Sequence, residues 1–338
     1  MPRKGGWRRE GTRGRFRYYD ARGSRITDAD KLARIESLVV PPAWRDVWIS
    51  PRPTAKLQAT GLDKAGRRQY IYHPDFRARQ DQAKYERLIR FAERLPDLRL
   101  AMAEHMDHEI LDRERVCAVA LRLINRAWFR VGTDRYAKQS KTFGITTLTK
   151  RHVQVRGTRV AFEFRAKHRV VVRTVLVDAE LADAMKELLE LPGRGRLFRY
   201  RNDDRVVSMT GARLNEYVRD YLGEEFTAKD FRTWGGTLTA AIAFAERGPV
   251  EGAAEQRRAV AAVMRRVGQE LGNTPAVARS SYVSPAVVDQ YLEGGTIADF
   301  RPRHLRVVSA RETGLEPEEL ALLSLLRSWK IRQARAAA

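Results

Sequence analysis

A single cysteine, Cys117, stands in a chain of 338 residues, so no disulfide can form within it. It lies in the apolar stretch Val116 to Ile124 and reads as a small buried thiol rather than a nucleophile, which suits a reducing cytoplasm. Long apolar runs are missing too, and with them any sign of a membrane span, a signal peptide or a lipid anchor. Histidine is scarce. The one pair near ligand spacing, His105 and His108 in EHMDHE, has no further ligand nearby and reads as a solvated helix end, so no metal is expected. No segment repeats at a period of about 20 to 50 residues, which excludes a solenoid. Negative charge is also in short supply: 42 Asp and Glu face 64 Lys and Arg, a net charge of +22. That excess is spread along the chain and is more than solubility needs. It calls for a polyanionic partner and, without membrane signals, for nucleic acid.

What is present divides into two domains, with 43% hydrophobic residues to build their cores. The first 25 residues set Arg3, Lys4, Arg8, Arg9, Arg13, Arg15 and Arg17 among Trp7, Phe16 and Tyr18, and read as a mobile basic tail. Short strands follow at Val47 to Ser50, Ala55 to Thr60 and Arg67 to Tyr72, punctuated by Pro41, Pro42, Pro51, Pro53 and Gly61. A charged helix is predicted from Asp75 to Arg94, and Leu95-Pro96-Asp97 marks the expected boundary. Beyond it, apolar residues recur at helical spacing, as in Val116, Val119, Leu123 and Ala127 and from Leu181 to Leu191. One interruption, Val153 to Val155, Val160 to Phe164 and Val170 to Val177, predicts a three-stranded antiparallel sheet. The fold class is therefore α+β: a small β-rich domain over residues 1–95 and a larger, mainly α-helical domain over residues 96–338.

Four places hold basic or phenolic residues. Arg130, in Trp128-Phe129-Arg130-Val131-Gly132, closes an apolar helix ahead of a glycine, where a cation also suits the helix dipole. Lys167, in FEFRAKHRV, sits in a tight turn between strands, either solvated or projecting toward a nucleic-acid groove. Thr227 and Asp230 are spaced as a capping box, which puts Arg232 of KDFRTWGG near a helix N-terminus, where a phosphate could bind. The segment from Leu271 to Tyr282 is a helix, a glycine turn and a short helix ending near a tyrosine. Taken alone it passes for a helix-turn-helix.

Read in order, FRVG, FEFRAKHRV, KDFRTWGGT and GNTPAVARSSY resemble the active-site series of type IB DNA topoisomerases of the compact poxvirus and bacterial kind. The resemblance covers nearly the whole chain. It implies a catalytic helical domain that forms a DNA clamp with the first domain, and a reaction without ATP, metal or other cofactor. Tyr282 would be the nucleophile that forms a 3′ phosphotyrosyl link, Lys167 the general acid, and Arg130 and Arg232 the phosphate ligands. The family histidine is replaced by Asn273, whose amide can still donate a hydrogen bond. RRQYIYHPDF resembles the family's cap, in which Gln69, Tyr70 and Tyr72 would face DNA bases. Arg135, Tyr136, Lys138, Lys141 and Lys229 suit phosphate and groove contacts. The implied partner is duplex DNA, especially supercoiled, met by a monomer at the nucleoid in a bacterial cytoplasm. Two alternatives are a tyrosine recombinase, which usually carries histidine where Lys229 stands and lacks this cap, and a nonenzymatic helix-turn-helix protein.

Overall fold

The computed structural model describes residues 5–193, 195–300 and 314–337, and the chain divides into two units, Met1–Glu86 and Arg87–Ala338. In the first, strands β1 (Trp7–Glu10), β2 (Arg17–Tyr19), β3 (Arg45–Ile49), β4 (Leu57–Leu62) and β5 (Arg68–Tyr72) form an antiparallel sheet of order β2-β1-β3-β4-β5. Helix α1 (Ala29–Ser37) is capped by Asp28, which accepts from the Lys31 N–H. Trp7–Glu10 and Arg17–Tyr19, within the arm read as a mobile tail, are thus strands. Trp7 is buried with Ile26, Ile35, Val47, Ile49 and Ala59. Two residues on, the Arg9 guanidinium donates to the carbonyls of Val40, Pro41 and Trp44 at 2.7–3.2 Å. This arginine braces a loop rather than floating in solvent.

Helix α2 (Pro74–Met106) runs unbroken through Pro96. The division between units falls inside it, earlier than the expected boundary at residues 95–97. Proline removes one rung of the helix at a cost of about 3 kcal/mol. Leu88, Phe91, Leu95 and Leu98 are buried around it, each contributing about 1.5–3 kcal/mol, so packing overrides the breaker.

The second unit continues with α3 (Arg113–Ala127), α4 (Asp134–Ser140), β6 (Val153–Arg156), β7 (Arg159–Arg165), β8 (Val171–Val177) and α5 (Ala179–Glu190). The expected three-stranded antiparallel sheet forms in the order β6-β7-β8. A hairpin of β9 (Arg199–Asn202) and β10 (Arg205–Ser208) follows, hidden from pattern reading because RYRNDDRVVS has little apolar alternation. The remaining helices are α6 (Gly211–Leu222), α7 (Ala228–Arg247), α8 (Ala253–Glu270), α9 (Pro275–Ser281), α10 (Pro285–Leu292) and α11 (Pro317–Ala337). Helix α3 is the hub, inaccessible on all sides from Val116 to Leu121. Cys117 is buried there against the Met209 sulfur at 3.7 Å, and burial pushes its thiol up to about 12. His105 contacts the Tyr217 hydroxyl and His108 the Asp112 carboxylate, both at 2.6 Å. Among the described residues no helix is long and apolar enough to cross a membrane.

Trp7→Ala should cost the first unit about 3–5 kcal/mol, read as a lower urea midpoint. A change below about 1 kcal/mol would return residues 7–10 to the status of a tail.

Candidate active site

The last turn of α3 begins the site. Arg130 does not close that helix, as the sequence suggests; the helix ends at Ala127, and Trp128 caps it in the left-handed conformation, φ 54°. Gly235 makes room for this cap, since a Cβ there would lie 2.4 Å from the Trp128 ring. The chain then runs extended, with the carbonyls of Arg130 and Val131 accepting from the N–H groups of Ile145 and Thr146 at 2.7 and 2.8 Å. Arg130 therefore belongs to a loop clamped on both flanks, and the helix dipole has no part in placing it.

Arg130, Arg232, Asn273 and Tyr282 come together around the turn between α8 and α9. Arg130 Nη2 donates to the Gly272 carbonyl at 3.0 Å and to Asn273 Oδ1 at 2.7 Å. A guanidinium only donates, so the amide oxygen must face it. The Asn273 amide nitrogen is then turned toward the Leu271 carbonyl, 3.3 Å away. Arg232, only 4% exposed, donates through Nη1 to the Trp128 carbonyl and through Nη2 to that of Leu271 at 2.6 Å. Its Cζ lies 5.2 Å from the centre of the Tyr282 ring. The expected capping box orients α7 here: Asp230 accepts from the Thr227 N–H and hydroxyl at 2.9 and 3.0 Å.

Charge is unbalanced in this cluster. Arg99, Arg115 and Arg122, also partly or fully buried, each hold a carboxylate at 2.7 Å. Arg130 and Arg232 have carbonyls, an amide and a phenol, and among the described residues no carboxylate bridges either. Burial, then the charge of Arg130, pushes Arg232 down to about 10, still a cation at neutral pH, while Tyr282 pulls the other way. Burial would raise the Tyr282 phenol, but the charge and hydrogen bond of Arg232, then the charges of Arg130 and Lys229, outweigh it and leave the phenol below its ordinary value. Two cations with no anion, facing a phenol inclined to ionise, suit an anionic group such as a phosphodiester.

Lys167 lies exposed at the tip of the β7–β8 turn, where His168 and Arg169 take φ of 62° and 61°. It touches none of the four. The same turn does approach them, because Val170 Cγ1 is 3.9 Å from where a Cβ on Gly272 would stand. Arg135, Tyr136 and Lys138 are exposed on α4, Lys141 is exposed at its end, and Lys229 is exposed in the first turn of α7. In the first unit, Tyr70 and Tyr72 are half-exposed and stack with centroids 6.1 Å apart. Gln69 cannot share their face. Side chains alternate along a strand, so Gln69 falls on the side of Ile71, which packs on the core, and its amide donates to Asp63 at 2.9 Å.

Sequence reading missed what seats Tyr282. A Cβ on Gly236 would lie 2.9 Å from Tyr282 Cβ and 3.0 Å from its carbonyl oxygen. The buried Thr237 hydroxyl shares its one hydrogen between the Thr233 carbonyl at 2.8 Å and that of Tyr282 at 3.1 Å, and accepts from the Ser284 N–H at 3.1 Å. The available signal was the Gly-Gly pair inside a helical segment, where glycine is costly unless something packs against it.

Residues 73–294 match the family described as eukaryotic DNA topoisomerase I, catalytic core, and residues 15–63 match bacterial DNA topoisomerase IB, N-terminal domain. The chain is 29% identical over 282 residues to the DNA topoisomerase 1B of Acanthamoeba polyphaga mimivirus, covering 81% of this chain and 83% of the viral one. It is 21% identical over 243 residues to the DNA topoisomerase 1B of vaccinia virus (strain Copenhagen), covering 69% and 72%.

Gly236→Ala tests the seat of Tyr282. Overpacking costs about 1–3 kcal/mol and should exceed the roughly 1 kcal/mol that alanine gains in a helix. Urea unfolding should show a net loss together with shifted Tyr282 ring resonances; a variant more stable than the native chain would deny the close approach.

Proposed function

The chain belongs to the type IB DNA topoisomerase family, isomerases that act on DNA, and on that premise we propose that it relaxes supercoils through transient cleavage of one strand by Tyr282. The observation that carries this reading is the pair of guanidiniums, Arg232 buried and Arg130 partly so, that among the described residues meet no carboxylate and converge on that phenol.

A phosphodiester repels nucleophiles and a neutral phenol is a weak one, so the site must neutralise the first and ionise the second. Both arginines serve both ends. Their donors take the nonbridging oxygens and stabilise the charge that grows in the pentacoordinate transition state, while their field favours the phenolate. Tyr282 Oη bonds to phosphorus, its proton passes to solvent, and the bond from phosphorus to the 5′ oxygen breaks. The departing oxygen needs a proton, which Lys167 supplies from its exposed turn once DNA is bound. The 3′ phosphotyrosyl link keeps the energy of the backbone bond, so attack by the 5′ hydroxyl restores the strand without ATP. Because guanidiniums provide the neutralising charge, the reaction should run without a metal.

Asn273 orients Arg130 through its oxygen, and of its two amide N–H groups one goes to the Leu271 carbonyl and the other is left to reach the phosphate. An amide does not titrate, so this position should add no break to the rate profile between about pH 6 and 8. Tyr70 and Tyr72 offer stacked aromatic edges to the bases, and Arg135, Tyr136, Lys138, Lys141 and Lys229 offer contacts to phosphates and grooves. We take Gln69 to brace the Asp63 loop rather than to read a base. The net charge of +22 favours a polyanion such as duplex DNA, and membership of the family, with a match to a bacterial N-terminal domain, supports supercoiled DNA at a bacterial nucleoid as the target of a monomer.

Relaxation of positively and negatively supercoiled plasmid in EDTA without ATP is the test. The native chain should relax both, Tyr282→Phe neither while still binding, and Arg232→Ala should be slower by about 10²–10³-fold. Binding without relaxation by the native chain would overturn the proposal.

A further inference from the structure

Helix α11 follows the segment matched to the catalytic core, which ends at residue 294, yet it places a carboxylate against the back of the active-site helix. Glu319 is 2% exposed. Its Oε1 accepts from Trp234 Nε1 at 2.9 Å and from Arg99 Nη2 at 2.9 Å. Its Oε2 accepts from Arg99 Nη1 at 2.7 Å and from the Glu316 N–H at 3.0 Å. All four acceptor sites of the carboxylate are filled. The last of these bonds reaches back from the first turn of α11 to the N–H just ahead of it, so a residue that caps α11 is also the one that ties it to the core.

The partners decide what the knot does. Arg99 lies on α2 and reaches Asn125 on α3 at 3.3 Å, close before the Trp128 cap. Trp234 lies on α7 between Arg232 and the glycine on which Trp128 packs. One buried carboxylate therefore links the helix that carries Arg232 to the two elements that lead to Arg130. Burial alone would raise the Glu319 carboxyl, but hydrogen bonds and charge from Arg99, and then Trp234, hold it below its ordinary value, so it stays an anion. We infer that α11 is a working part of the active site, with Glu319 a positioning residue that fixes the register of α7, and so of Arg232, through Trp234. The inference rests on the proposed strand-transfer reading.

A purely structural carboxylate would affect stability and nothing else, and the two roles separate by variant. Glu319→Ala strands Arg99 and invites unfolding, so the informative protein is Arg99→Met with Glu319→Met, which removes both charges and keeps bulk. It should melt near the native temperature and bind duplex DNA as well as the native chain. Its single-turnover formation of covalent complex on a nicked-release substrate should still fall by about 10- to 100-fold. Trp234→Phe, which cuts only the link to α7, should show the same split. Glu319→Gln keeps an oxygen for Trp234 and should recover most of the rate. A double variant that cleaves at the native rate, or slows only as its DNA binding weakens, would overturn the inference and leave the strand-transfer reading standing. A native chain that forms no covalent complex would overturn both.

Discussion

The site depends on one electrostatic imbalance, a buried and a half-buried arginine held by backbone carbonyls and an amide rather than by carboxylates. Removing a cation from water costs several kcal/mol, and a hydrogen bond to a charged group returns about 1.5–3 kcal/mol. Arg232 makes two such bonds and Arg130 one to a carbonyl and one to Asn273. Carbonyls orient the guanidinium planes without cancelling their charge, so the field remains for Tyr282 and for an incoming phosphate. Had an acidic residue stood in place of Asn273, the anion site would have been filled from within.

Holding like charges together requires a stiff frame, and the packing supplies it. The end of α3 is fixed by Trp128, whose ring needs the bare backbone of Gly235 and whose carbonyl takes Arg232. The next glycine admits Tyr282, and Thr237 ties down its carbonyl. One helix thus carries the second arginine, the seat of the first loop and the seat of the nucleophile within little more than one turn. A shift of α7 would move all three at once.

The sequence made the fold class and the grouping of four candidate residues legible, and hid much of the frame that groups them. Arg130, Arg232, Asn273 and Tyr282 could be chosen because their motifs follow one another in a family order, and the structure brings them into one cluster; Lys167 stands apart on its turn. The three-stranded sheet was legible because β-branched and aromatic residues concentrate over β6 to β8 between short polar turns. Other features were hidden for particular reasons. The basic arm was taken for a tail because its arginines outnumber its aromatics, although Trp7 alone anchors a strand. Gln69 was placed with Tyr70 and Tyr72 by the resemblance of RRQYIYHPDF to the family's cap, against the two-residue period of a strand. The end of α3 was placed at Gly132 because a tryptophan in the left-handed conformation leaves no composition signal. Glu319 was invisible, since its partners Arg99 and Trp234 come from distant parts of the chain.

The most direct measurement of this account is the ionisation of the Tyr282 phenol, followed by NMR of ring-labelled tyrosine and assigned by difference with Tyr282→Phe. In the native chain it should titrate below the ordinary tyrosine value of about 10, and in Arg232→Met, where burial is left with less opposition, it should move up. A native phenol titrating at or above the ordinary value, unmoved by loss of Arg232, would contradict the claim that uncompensated arginines drive this site.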